Sequence, residues 1–150
     1  MSTHLALIAP SELAYEDIVG ELSFAAKEQS LTAKRFDDQL EIWDGRMNLI
    51  LSLPEQFPKG WDYEEGEAES IRARFARTPQ LIVIEYDTVE LVRKVLLGLC
   101  EKHEFLIDDE QCHLWRSADF AKALRILRFN WLAKKPDPDY PHKLASPPAA

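Results

Sequence analysis

An Asp-Gly pair flanked by alternating apolar residues constrains this chain more than any other feature. Leu40 and Ile42 alternate with polar positions before Asp44-Gly45, and Met47, Leu49, Leu51 and Leu53 repeat at every second position after it. A period of two puts one set of side chains on one face of a strand. Asp-Gly suits a type I′ turn, whose central residues take positive φ. The segment predicts an antiparallel hairpin with one apolar face. A second segment, Leu81-Ile82-Val83-Ile84, is a continuous apolar run and predicts a central strand covered on both faces.

Helical periodicity fills the intervals. Tyr15, Ile18, Val19, Leu22, Ala25 and Ala26 recur at helical spacing, with Ser11 placed as an N-cap. Ala68, Ile71 and Phe75 mark a short amphipathic helix. Asp87 and Glu90 have capping-box spacing, and Val89, Val92, Val95, Leu96, Leu99, Cys100 and His103 trace the stripe that follows. Phe105 to Ile107 and Gln111 to Trp115 flank the turn Asp108-Asp109-Glu110 as a second hairpin. Ser117 is placed to cap a last helix with Phe120, Leu124, Leu127 and Trp131 on its inner face. Leu5-Ala6-Leu7-Ile8 reads as an edge strand. This order predicts an α+β fold, helices packed on a largely antiparallel sheet built from hairpins. Residues 1–135 form one expected domain, and 136–150, with five prolines, an expected flexible tail, mobile or draped on the surface.

Charge narrows the function classes. The formal net charge of −8 opposes nonspecific nucleic-acid binding and attraction to anionic membranes, both of which need Lys and Arg. Residues 1–110 carry 23 acids against 11 bases, whereas 111–150 carry 3 acids against 7 bases. An acidic body suits a basic protein partner, and it also serves plain solubility. Arg125, Arg128, Lys134 and Lys135 are placed to meet that body in a second copy, which would give a homodimer. The first residues lack a basic, then apolar, secretory leader, and only two cysteines are present, so the expected location is the cytoplasm with Cys100 and Cys112 as buried free thiols.

Motifs that carry chemistry are sparse. The glycines at 20, 45, 60, 66 and 98 are too scattered to cradle phosphate, and no Gly-x-Ser-x-Gly elbow occurs. The sharpest enzyme or metal candidate is Cys100, His103, Cys112 and His113, with Asp108 as an acid or base. Cys112 and His113 are neighbours, however, and on a strand would point to opposite faces. The expectation is therefore no catalytic residue, no metal and no cofactor. The richer cluster surrounds Phe57, Trp61 and Tyr63, where Glu55, Asp62, Glu64, Glu65, Glu67 and Glu69 stand against one lysine, Lys59. Aromatics anchor interfaces and an acidic rim steers a basic partner. Equally, the aromatics plug a loop onto the core while the acids favour the next helix N-terminus. The candidate partner-binding set is Trp61, Asp62, Tyr63, Glu64, Glu65, Glu67, Glu69, Asp108, Asp109 and Glu110.

From Tyr86 to Ala123 the chain resembles small acidic immunity proteins of bacterial polymorphic-toxin systems. The likeness rests on Tyr86-Asp87-Thr88-Val89 leading into a Leu-rich helix, then Phe105-Leu106-Ile107-Asp108-Asp109 and Ser117-Ala118-Asp119-Phe120. It covers about a quarter of the chain, and Gln111-Cys112-His113 stands where such proteins usually carry a glycine. The resemblance implies a protein that binds and blocks one cognate toxin inside the producing cell. An adaptor or chaperone for a secreted effector shares the same charge and fold class.

Overall fold

The computed structural model describes residues 3–149, so Met1, Ser2 and the last residue of the expected tail, Ala150, lie outside it. Eight strands are β1 (Thr3–Ala9), β2 (Thr32–Phe36), β3 (Gln39–Trp43), β4 (Asn48–Ser52), β5 (Glu55–Gln56), β6 (Gln80–Tyr86), β7 (Leu106–Asp108) and β8 (Leu114–Arg116). The helices are α1 (Tyr15–Glu28), α2 (Glu65–Arg72), α3 (Val89–Lys102) and α4 (Ser117–Arg125), followed by a 3₁₀ turn at Trp131–Ala133. The fold is α+β. One sheet runs in the order β2-β3-β4-β6-β1-β7-β8, with β5 beside β6 and every pairing antiparallel.

The first hairpin forms as the alternation requires. Leu40, Ile42, Leu49 and Leu51 are all buried on one face. Its turn differs from type I′, because only Gly45 takes positive φ. Asp44 instead accepts from the backbone N–H groups of Arg46 and Met47, closing a four-residue loop between paired Trp43 and Asn48. β6 is central as predicted, with β1 on one side and β4 and β5 on the other, but its back face is covered only in part, Val83 being half-buried. β1 is a correction: it lies between β6 and β7 rather than at an edge, and Leu5 to Ala9 are all buried.

Strand parity sorts the side chains onto two faces. The front face, with Leu5, Leu7, Ile82, Ile84, Tyr86, Ile107 and Trp115, meets α1, α3 and α4 in the larger core. Trp131 donates to the Tyr86 hydroxyl at 3.0 Å, and burial raises that hydroxyl's pKa to about 12. Arg93 is the unexpected member, nearly buried, with a guanidinium that donates to the carbonyls of Leu124, Ile126, Leu127 and Phe129. It closes the C-terminal end of α4, where the last helical carbonyls lack partners within the helix.

Three predicted caps move. Thr88, not Asp87, caps α3 by accepting from the Leu91 N–H at 3.2 Å. Ser117 is already helical, and its hydroxyl joins the Phe105 N–H to the His103 carbonyl across the base of the second hairpin. Helix α1 starts at Tyr15, so Ser11 lies before it in a turn.

Candidate functional site

The back face of the sheet is divided. Its half over β1, β6, β7 and β8 presents Ala6, Ile8, Leu81, Leu106 and Leu114, and Phe57, Ala68 and Ile71 cover them. Tyr63, Tyr140 and Leu144 complete the cover. The segment after 135 therefore takes the draped rather than the mobile form of the expected tail. The Asp137 N–H donates to the Cys112 carbonyl and the Ala145 N–H to the Leu114 carbonyl, which lays the segment along β8. Proline excludes regular structure there but leaves the chain free to drape on an apolar surface.

Asp108 lies under this cover and Asp109 beside it against Trp115 and His113, and both correct the docking set: Asp108 is 1% and Asp109 0% exposed. Asp108 Oδ2 accepts from the Tyr63 hydroxyl at 2.6 Å and from the Tyr140 hydroxyl, while Oδ1 accepts from the Glu110 N–H. Burial pushes the Asp108 carboxyl above the usual carboxylate range despite these donors. Burial and the neighbouring carboxylate push both tyrosine hydroxyls up as well. Asp109 accepts from Trp115 Nε1 at 3.0 Å and from the Gln111 N–H, and it meets His113 Nδ1 at 2.6 Å. His113 Nε2 lies 2.7 Å from the Lys135 carbonyl, which can only accept, so that nitrogen carries a hydrogen. These two acids tie the hairpin to loop 57–63 and to the C-terminal segment.

The other half of the back face carries no covering helix or loop among the described residues. In register across β2, β3, β4, β6 and β1 stand Lys34, Glu41, Ile50, Glu85 and His4. Trp43 and Val83 flank this row, both half-buried, and Phe36 is 38% exposed. Glu41 is held loosely by the amides of Gln39 and Asn48, each at 3.4 Å. Lys34 turns away over the Phe36 ring. The row ends in a recess of about 390 Å³ lined by His4, Gly60, Trp61, Asp62, Val83 and Glu110. Glu110 comes within 3.9 Å of His4.

The sequence-predicted set therefore separates. Trp61, Asp62 and Glu110 share the recess. Tyr63 is turned inward onto Asp108. Glu67 accepts from the Glu64 N–H at 3.1 Å, so this pair closes a capping box at the start of α2. Glu65 and Glu69 are exposed along the same helix. Glu41, Ile50, Glu85, His4 and Trp43 were missed. Their signal was the polar phase of strands chosen for their apolar phase, and it gains meaning only when the strands are set in register.

The Cys100, His103, Cys112 and His113 set is dispersed. Cys100 is buried on α3, and desolvation raises its thiol. His103 ends α3 and meets Glu21 of α1 at 2.5 Å. His113 sits against Asp109. Cys112 corrects the expectation of a buried thiol: it is exposed in the turn at φ 62°. Desolvation and the carboxylates around it raise its pKa, which disfavours the reactive thiolate. Among the described residues, no three His, Cys, Asp or Glu side chains converge as a metal ion would need. Among the described residues, no helix is long and apolar enough to cross a membrane. No family model, curated protein or solved structure matches the chain.

Proposed function

We propose that this chain is a stoichiometric inhibitor, an immunity protein that binds a basic toxin through the open half of its sheet. One observation carries the reading: Glu41, Glu85, Asp62 and Glu110 share an uncovered face with Trp43, Ile50, Val83 and Trp61. Carboxylates, exposed at Asp62 and Glu110 and half-buried at Glu41 and Glu85, beside half-buried aromatics give both steering and anchoring to a cationic protein. The acidic composition and the resemblance between Tyr86 and Ala123 support the same reading.

The test is capture from the native host with the tagged full chain, followed by an activity assay of the captured protein. A single basic partner, inhibited at one-to-one ratio and released by the E41K/E85K/E110K variant, is the expected result. A partner that stays fully active while bound overturns the inhibitor in favour of the adaptor. Binding that survives the triple reversal unchanged overturns the assigned face.

A further inference from the structure

Resting on that reading, we infer that the partner enters this face as an amphipathic basic helix laid across the strands. The register fixes the argument. Glu41, Ile50 and Glu85 occupy successive strands β3, β4 and β6 in one row. Neighbouring strands are about 4.8 Å apart, so the two glutamates rise from points roughly 10 Å apart with the isoleucine midway.

Each regular backbone offers its own spacing to such a row. An α-helix brings residues i and i+7 to the same face about 10.5 Å apart, with i+3 and i+4 about 5 Å along between them. Two cations at i and i+7 then stand over Glu41 and Glu85 while an aliphatic pair covers Ile50. A β-strand repeats its face at about 6.6 and 13 Å, which misses the second carboxylate. A polyproline II segment reaches about 9.3 Å at i+3 but has no residue on that face at the midpoint, so Ile50 stays uncovered. Only the helix satisfies both charges and the apolar centre.

The face is suited to receive it. Glu85 has no side-chain hydrogen bond or ion pair among the described residues, and Lys34, the one cation in the row, is turned onto Phe36. Trp43, two residues from Glu41 on the same strand, supplies a wall beside the helix path.

The experiment titrates the isotope-labelled full chain with three synthetic peptides of equal charge, followed by the amide shifts of Glu41, Ile50 and Glu85. The first is an Ala-based helix with Lys at i and i+7 and Leu at i+3 and i+4. The second moves one Lys to i+5, off the helix face, and the third is a polyproline II peptide with Lys at i and i+3. The first is expected to bind at least tenfold tighter than either other peptide, and E41K/E85K is expected to abolish the difference. Equal affinity of the first two, tighter binding of the third, or no shift at these amides overturns the helix. Such a failure leaves the capture and charge-reversal results standing, because those read the partner itself and not its backbone form.

Discussion

The two halves of the back face use the same residue types to opposite ends. Over β7 and β8, acids and aromatics are sealed together, with Asp108 buried under Tyr63 and Tyr140 and Asp109 buried against Trp115 and His113. Over β3 and β4, Glu41 and Trp43 lie uncovered, their row continuing to Glu85 on β6. The difference is one of partners. A buried carboxylate is tolerated only when its oxygens are met by donors, and each hairpin aspartate has three or more protein groups around it. Glu85 is half-buried without a side-chain partner among the described residues and Glu41 is held only by two amides at 3.4 Å, so both remain free for a cation from elsewhere. The same acidic composition therefore serves cohesion in one place and recognition in the other.

If that contrast is right, truncation should be severe in the sealed half and nearly silent for stability in the open one. The largest effect is expected for Asp109→Ala, which strands Trp115 Nε1, the Gln111 N–H and His113. Removing one member of a buried pair costs about 3–5 kcal/mol, to be read by urea unfolding. A loss below about 1 kcal/mol would mean that water already reaches the turn. Next comes Tyr140→Phe, which removes one of two hydroxyl donors to Asp108 and should cost about 1–3 kcal/mol in the same assay.

A pH series sharpens the comparison. The folded Asp108 carboxyl holds its proton to higher pH than the unfolded chain does, because burial raises its pKa. Its contribution to stability is therefore complete below the ordinary carboxylate range and is lost as pH rises through the raised value. The stability of the wild type minus that of Asp108→Asn should fall from pH 4 upward, and a difference that rises with pH would reverse the assignment. The smallest effect is expected for Glu85→Lys, within about 0.5 kcal/mol of wild type. The same change should weaken partner binding at least tenfold. A Glu85→Lys protein as unstable as Asp109→Ala would break the comparison outright.

What the sequence conveyed follows the same division between local and distant causes. The hairpin around Asp44-Gly45, the central strand at Leu81 to Ile84 and the stripe of α3 were legible because each is written within a few residues. Strand order was not, so β1 was assigned to an edge while long-range pairing places it between β6 and β7. β2 escaped notice because every residue from Thr32 to Phe36 is exposed and shows no apolar alternation. Asp108 read as a docking residue in a hairpin turn because its partners, Tyr63 and Tyr140, lie 45 and 32 positions away. Trp61, Asp62 and Glu110 were found for their chemistry, yet only folding joins them to His4 and Val83.

The strip of chain lying along β8 also imposes an order of events during synthesis. β8 is an edge strand whose Leu114 carbonyl is met by the Ala145 N–H, and the neighbouring Cys112 carbonyl is met by the Asp137 N–H. Until those later residues leave the ribosome, the nascent sheet carries an unpaired rim above an apolar surface, the condition that invites strand-to-strand association. A chain stalled near Lys135 would therefore be sticky, and one released past Ala145 would not. The prolines that kept this segment from reading as structure also leave it few N–H groups of its own to offer a foreign strand, so the rim is closed by something that cannot readily become a new one.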